Sequence, residues 1–277
     1  KEILELLKEF RDLQAPNDKI ALNLIGFKEQ YDIHNYIDFI NVTTYDVQSN
    51  LSPAQVLNIL YEGNQRFLQD IRINRTNHVD VRLTAKTQHP IAVILGCIDS
   101  RVPVETIFDM SFGDVFCIRI AANVINDDIL ASMEYACNVV GAKLIIVLGH
   151  TRCGAILSAC DGIKKGHITQ LLSKIKPAIT AETETQDNRT SQNMDYVNHV
   201  THLNVANTLK TIYSKSAILR TMIDDKDISM AGAVYNVHTG KVHYKNYKED
   251  LLKLDSNEEP LADKLEQLLQ ESQLEWK

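Results

Sequence analysis

The side chains of this sequence best suited to chemistry are two thiols and an imidazole, those of Cys97, Cys153 and His150. Two thiolates and an imidazole form a ligand set that zinc favours in proteins, and three protein ligands leave the fourth tetrahedral position open for water. Asp99 and Arg101 lie beside the first cysteine and add a carboxylate and a guanidinium group. These residue types therefore predict a catalytic site that holds one zinc ion per chain.

Three short apolar runs, at 91–95, 115–120 and 144–148, are expected to position these residues. Runs that are apolar throughout, rather than alternating, indicate strands buried on both faces, as in a parallel sheet. Helical patterns separate the runs, which predicts an α/β fold with a mainly parallel sheet flanked by helices. Ligand sites in such sheets lie beyond the carboxyl ends of the strands. Because Cys97 follows the first run and His150 follows the third, we expect them to meet.

The chain is predicted to have three parts. Residues 51–247 form the zinc domain, residues 1–50 an N-terminal helix-and-strand extension, and residues 248–277 an amphipathic helical tail that docks on the parent domain or a sister subunit. Within the extension, residues 1–13 have the spacing of a helical arm and residues 20–27 that of a strand. Because the sequence does not begin with Met, we interpret the extension as the tail of a larger protein.

The composition narrows the class of protein. The chain has 277 residues and a formal net charge of −7, which argues against a nucleic-acid partner because phosphate binding needs a basic face. No apolar run approaches the roughly 20 residues that span a bilayer. The five cysteines are few for a chain of this length and odd in number, which does not suit a disulfide framework. We therefore expect a protein of the reducing cytoplasm. Of these, Cys117, Cys137 and Cys160 are predicted to be packing residues.

Each candidate residue also has a simpler interpretation. Cys97 and Cys153 could be buried structural thiols, and Asp99 with Arg101 could be an ordinary loop ion pair that contributes little. His199 and His202, three residues apart on a predicted helix, could suggest a second metal site. No cysteine or carboxylate cluster accompanies that pair, so ordinary histidines are the better interpretation.

Two segments carry a resemblance to a known family. GCIDSRVPVETIF (96–108) and GHTRCGAI (149–156) resemble the two zinc-binding signatures of the β-class carbonic anhydrases. The resemblance extends over roughly residues 51–247, through EGNQRF, QHPIAVILG, GDVFCIRIAANV, SMEYACNVVGAKLIIVLGHTRCG and GAVYNVHTGKV in family order. The sequence departs from the family pattern at Ile98, where Ser is usual, and at Ala122, where Gly is frequent.

The resemblance implies both a reaction and roles for residues. Zinc held by Cys97, His150 and Cys153 would lower the pKa of its bound water towards about 7, and the resulting hydroxide would convert carbon dioxide reversibly into bicarbonate. Asp99 would orient that hydroxide, and Arg101 would hold Asp99 away from the metal. The family also has a closed form, in which the aspartate becomes the fourth ligand. A homodimer or higher oligomer is implied as well.

Two alternatives stay open at this point. Some relatives of this fold hydrolyse carbon disulfide or carbonyl sulfide on the same metal site, so the chain could be such a hydrolase. It could also be a non-catalytic, bicarbonate-sensing zinc domain of a transporter, because residues 1–50 weakly resemble the end of a domain found behind sulfate-permease-type anion transporters. Fusion to such a transporter would place the chain at the cytoplasmic face of a membrane.

Overall fold

The computed structural model of the protein describes residues 42–73, 77–254 and 259–272. Its regular elements, in chain order, are α1 (Tyr45–Asn50), α2 (Pro53–Leu68), α3 (Asn77–Thr84), β1 (Ala92–Gly96), α4 (Val104–Ile107), β2 (Val115–Arg119), α5 (Asp127–Glu134), β3 (Leu144–His150), α6 (Gly154–Cys160), α7 (Gly166–Ser173), α8 (Lys176–Ala181), α9 (Met194–Lys215), α10 (Ala217–Asp224), β4 (Ser229–Tyr235), β5 (Val242–Tyr244), α11 (Lys248–Leu254) and α12 (Glu259–Glu271). The helix predicted at 1–13 and the strand predicted at 20–27 lie outside the described residues. None of the helices in the described ranges combines the length and apolar character that a bilayer crossing requires.

The five strands form one sheet in the order β2-β1-β3-β4-β5. The first four strands in this order are parallel to their neighbours, and β5 turns back antiparallel to β4. Helices connect the parallel strands, so the predicted α/β class, with a mainly parallel sheet, is confirmed. Because β1 and β3 are adjacent, the segments that leave their carboxyl ends emerge side by side.

The central strands are buried on both faces, as their apolar sequences predict. Every residue of β1 and β3 is buried. Within β1, Val93 and Leu95 pack into one apolar cluster, whereas Ala92 and Ile94 pack into a second cluster on the other side of the sheet. Strand β2 differs, since it is half-buried and ends in an exposed Arg119. The prediction of burial on both faces is wrong for β2, because this strand lies at the edge of the sheet.

Helix α2 begins with a capping box and packs closely against the backbone that follows α4. The Ser52 hydroxyl accepts from the backbone N–H of Gln55, whose side chain accepts in return from the N–H of Ser52. Further along the helix, a Cβ atom added at Gly63 would lie 1.9 Å from the carbonyl oxygen of Phe108. The missing side chain of Gly63 therefore sets how closely α2 approaches the backbone after α4.

We expect Gly63→Ala to destabilise the protein by about 2–3 kcal/mol, because the new methyl group overlaps backbone atoms that cannot rotate away. The sign is the reverse of the ordinary one, since alanine in a helix interior is about 1 kcal/mol more favourable than glycine. Urea unfolding followed by circular dichroism measures the change. Gln65→Ala, two residues further along the same helix, is the control and is expected within about 0.5 kcal/mol of wild type. A Gly63→Ala protein as stable as wild type would contradict the packing described.

The residues at both ends of the described chain pack on the sheet domain. The Thr43 hydroxyl donates to Asp114 Oδ1 at 2.8 Å. The Gln48 side chain donates to the carbonyl oxygens of Pro90 and Val140 at 2.8 and 3.0 Å. Residues 42–50, which the sequence analysis assigns to the extension, therefore hydrogen-bond to residues 90, 114 and 140 of the predicted zinc domain.

Helix α12 gives the C-terminal tail its docking surface. Leu261 and Leu265 join the apolar cluster on one side of the sheet, and Leu268 and Leu269 join the cluster on the other side. The leucine stripe of α12 thus packs into both apolar clusters.

Candidate metal centre

The fold brings the three predicted ligands together at the carboxyl end of the sheet. Cys97 is the first residue after β1, and His150 is the last residue of β3, the neighbouring strand. Cys153 directly precedes α6, which begins after a short turn from β3. The ligand atoms of these three residues all lie within 4.8 Å of one another, and all three residues are buried.

The distance between the two sulfur atoms fits a tetrahedral zinc ion. The two Sγ atoms are 3.9 Å apart, and zinc with Zn–S bonds of about 2.3 Å would hold two sulfurs about 3.8 Å apart at the tetrahedral angle. The His150 ring is buried, and its Nε2 atom has no hydrogen-bond partner among the described residues. A buried, unpartnered ring nitrogen facing two thiols is costly unless it binds something. The three residues therefore fit a zinc ion.

The backbone fixes which nitrogen of His150 faces the two sulfurs. Nδ1 lies 3.0 Å from the carbonyl oxygen of Thr151, which can only accept, so Nδ1 carries the proton. The lone pair of the neutral ring is then on Nε2. The Thr151 backbone is itself held, because its N–H donates to the carbonyl oxygen of Tyr235 at 2.9 Å. Such an outer hydrogen bond orients a metal-binding histidine.

The two thiols influence each other strongly. The neighbouring Cys153 thiol, helped by His150 and the backbone N–H groups of Asp99 and Ala122, lowers the pKa of Cys97 although burial opposes the shift. The pKa of Cys153 is raised, first by its hydrogen-bond contact with Cys97 and then by burial. Two buried thiolates this close would repel each other without a cation between them. A divalent cation would stabilise both thiolates.

Asp99 and Arg101 form a two-point ion pair at the mouth of the site. Arg101 donates from Nε to Asp99 Oδ1 at 2.9 Å and from Nη2 to Oδ2 at 2.8 Å. The hydrogen bonds from Arg101 hold the pKa of the Asp99 carboxyl well below its usual range. Asp99 Oδ2 also lies 4.0 Å from His150 Nε2. The carboxylate is thus adjacent to the ligand atoms, while both of its oxygens are engaged by Arg101.

Arg119 is a functional candidate that the sequence reasoning missed. Its Nε donates to the carbonyl oxygen of Cys97 at 2.9 Å, and its Nη2 donates to the carbonyl oxygen of Asp99 at 2.6 Å. Arg119 is the register partner of Gly96 in the parallel pair β1–β2. The sequence shows that Arg119 ends a predicted strand. Its place beside Cys97 follows only from the pairing of β1 with β2 in the structure.

The remaining cysteines behave as packing residues. Burial raises the pKa of Cys137 to about 12 and that of Cys160 to about 11, and it raises the pKa of Cys117 further. Such thiols stay protonated and unreactive near neutral pH. The structure assigns all five cysteines as free thiols.

The two helical histidines have different partners and do not share a metal site. His199 Nδ1 lies 3.4 Å from Glu182 Oε1, whereas His202 Nδ1 lies 3.1 Å from the Tyr247 hydroxyl. Among the described residues, the one group with metal-ligand geometry is that of Cys97, His150 and Cys153. The interpretation of His199 and His202 as ordinary histidines stays a prediction, and their separate partners are compatible with it.

A parallel sheet with two thiols, an imidazole and an ion-paired carboxylate beyond its strand ends defines a metalloenzyme of the α/β class. The chain belongs to the carbonic anhydrase family, whose profile matches residues 92–242. It is 30% identical over 204 residues to carbonic anhydrase 2 of Mycobacterium tuberculosis, and the alignment covers 72% of this chain and 95% of that protein.

Solved structures of β-carbonic anhydrases share the fold. The enzyme CafA of Aspergillus fumigatus superposes with a TM-score of 0.54 at 28% identity, over 64% of this chain and 86% of that chain. One of two tetrameric β-carbonic anhydrases of Sordaria macrospora superposes with a TM-score of 0.52 at 25% identity, over 69% of this chain and 94% of that chain. A shorter stretch of 78 residues, 26% of this chain and 36% of the relative, is 31% identical to a carbon disulfide hydrolase of Acidithiobacillus thiooxidans.

Proposed function

We propose that Cys97, His150 and Cys153 hold one zinc ion per chain and that the protein uses it to interconvert carbon dioxide and bicarbonate. The main observation in support of this proposal is the Nε2 atom of His150, which is buried and has no hydrogen-bond partner among the described residues. It lies near two thiols and beside an ion-paired carboxylate. Zinc bound there supplies the Lewis acidity that lowers the pKa of water to about 7 and so provides a nucleophile at neutral pH.

The contribution of Asp99 is to orient the attacking water. Its carboxylate accepts a hydrogen bond from the water, and this directs an oxygen lone pair at the carbon of carbon dioxide. Because Arg101 binds both carboxylate oxygens, the Asp99 side chain is fixed before substrate arrives. The usual pKa of an aspartate is about 4, so Asp99 would be ionised at neutral pH even without Arg101. The role of Arg101 is therefore to position Asp99 rather than to ionise it.

Hydration releases a proton, and His202 is not suited to carry it. Burial lowers the pKa of His202 to about 4, so this ring stays neutral near pH 7. A group that carries protons efficiently needs a pKa near the working pH. Proton release through the open side of Asp99 and Arg101 is consistent with the half-exposed side chain of Arg101.

We expect Arg101→Gln to lower kcat/KM by about 10- to 100-fold, because glutamine cannot hold both oxygens of Asp99 as the guanidinium group does. The zinc content should be unchanged, since Arg101 touches no ligand atom. Stopped-flow hydration assays and metal analysis on the same preparation measure the two quantities. Arg152→Gln replaces an exposed arginine of the neighbouring loop and should keep wild-type activity. Equal activity of Arg101→Gln and wild type would refute the positioning role.

The whole proposal is tested by metal analysis together with hydration assays on the purified chain. One zinc per chain and carbon dioxide hydration that disappears on chelation and returns with zinc are expected. Hydrolysis of carbon disulfide is the second candidate activity, favoured by the partial match to a carbon disulfide hydrolase. Parallel assays on carbon dioxide and carbon disulfide separate the two enzymes. Stoichiometric zinc without turnover of either substrate would instead indicate a bicarbonate-sensing domain.

Assembly and location are part of the proposal. Assembly into a homodimer or a higher oligomer is supported by the tetrameric relatives of Sordaria macrospora and by the half-buried edge strand β2. A cytoplasmic location is supported by five cysteines that are all free thiols. Fusion to an anion transporter stays a prediction from residues 1–50, of which residues 1–41 lie outside the described part of the chain.

A further inference from the structure

The segment after β2 contains two consecutive residues in a left-handed conformation. Ala122 has φ 55° and ψ 24°, and Asn123 has φ 45°. Left-handed backbone is unfavourable for residues with a Cβ atom, and alanine has no polar side chain that could compensate. Such a conformation persists only where its surroundings hold it, and it is found most often at functional sites. The left-handed φ of Ala122 also explains why glycine is frequent at this position in the family that the sequence resembles.

The left-handed turn directs a backbone donor at a metal ligand. The N–H of Ala122 donates to Cys97 Sγ at 3.4 Å, and Ala122 is fully buried. The φ and ψ angles of Ala122 set the orientation of its N–H relative to its carbonyl oxygen, so in ordinary backbone geometry the two groups could not both keep their present partners. An N–H group that donates to a thiolate fixes the position of the sulfur and draws charge from it, as outer-sphere partners of a metal centre do.

Two side chains of helix α9 hold the turn from its other side. Asn204 Nδ2 donates to the carbonyl oxygen of Ala122 at 2.8 Å, and Thr208 Oγ1 donates to the carbonyl oxygen of Asn123 at 3.1 Å. Asn204 and Thr208 are one helical turn apart and are only 1% and 2% exposed. Ala122 is therefore fixed at both ends, with its N–H on Cys97 and its carbonyl oxygen on Asn204.

Only the nitrogen of the Asn204 side-chain amide has a hydrogen-bond partner among the described residues. Its Oδ1 atom is buried and has no hydrogen-bond partner among the described residues. Because a buried, unpaired acceptor is unfavourable, a residue that merely filled this space would more simply be apolar. The Nδ2 donor of Asn204, which faces the carbonyl oxygen of Ala122, is therefore the part of the side chain that has a role here.

We propose that Asn204 is a positioning residue of the metal centre: it holds Ala122 in its left-handed conformation and so keeps the Ala122 N–H on the Cys97 thiolate. Thr208 supports the same turn one residue later. This inference rests on the proposed zinc site, because its effect is expressed through the Cys97 ligand.

The test compares Asn204→Leu with Asn207→Leu on the same helix. Asn207 also donates to a backbone carbonyl oxygen, that of Lys174 at 3.4 Å, so the control removes a similar bond from a different contact. Cobalt(II) in place of zinc gives a thiolate-to-metal absorption band that reports on the bonds of both cysteine ligands to the metal, that of Cys97 included. Zinc affinity is measured by competition with a chelator. Asn204→Leu is expected to shift the cobalt band and weaken zinc binding by about 10- to 100-fold. Asn207→Leu should leave both readouts at wild-type values.

Thr208→Val keeps the test decisive if Asn204→Leu does not fold, because it removes one hydroxyl at nearly constant volume. It should shift the cobalt band in the same direction by a smaller amount and weaken zinc binding by about threefold to tenfold. A folded Asn204→Leu protein, or failing that a folded Thr208→Val protein, with wild-type band and affinity overturns the inference. A wild-type protein that binds neither metal would instead overturn the proposed function itself.

Discussion

Replacing His150 with alanine is expected to abolish stoichiometric zinc binding and to reduce carbon dioxide hydration by at least about a thousandfold. The imidazole supplies the one neutral ligand, and without it two buried thiols with opposed pKa shifts remain. Loss of the metal removes the Lewis acid that lowers the pKa of water from about 16 to about 7. Metal analysis after dialysis and a stopped-flow hydration assay measure the two effects.

The control for this substitution is His167→Ala, because His167 is exposed and lies on α7. It should keep wild-type zinc content and activity. Circular dichroism distinguishes loss of metal from loss of fold. Retention of one zinc per chain in a folded His150→Ala protein would show that the metal has other ligands.

The sequence alone predicts the ligand set and the sheet because both depend on local patterns. Apolar runs at 91–95 and 144–148 are long enough to mark buried strands, and the general location of ligand sites in α/β sheets places Cys97 and His150 together. The prediction is less accurate for 115–120. That run is also mostly apolar, although it contains Arg119, and the exposure of β2 follows from its place at the edge of the sheet.

The residues that support the ligands could not be predicted in the same way. Asn204 contacts Ala122 from a helix 82 positions away in sequence, and Arg119 contacts Cys97 from 22 positions away. An asparagine in an amphipathic helix or an arginine at a strand end carries no signal of a distant partner. The alanine at position 122 was visible as a departure from the family pattern, but only the positive φ gives its physical meaning.

Replacing Asp99 with asparagine is expected to lower kcat/KM by about 100- to 1000-fold while one zinc per chain is retained. Asparagine has nearly the same shape as aspartate, but it has no negative charge. It therefore accepts a weaker hydrogen bond from the attacking water and forms no ion pair with Arg101. The result therefore differs in kind from that of His150→Ala, in which metal and activity are lost together. Hydration assays and metal analysis on the same preparation measure both quantities.

The pH dependence of the wild-type enzyme separates Asp99 from the nucleophile. Because the hydrogen bonds from Arg101 lower the pKa of Asp99, this carboxylate stays ionised from pH 5 upward. A fall in wild-type activity between pH 8 and pH 6 must then come from protonation elsewhere, and Asp99→Asn should show the same profile at a lower rate. Asp187→Asn, at an exposed site, is the control for loss of one negative charge. An Asp99→Asn protein as active as wild type would contradict the orienting role. Such a result would mean that hydration does not require the negative charge of the carboxylate that Arg101 binds.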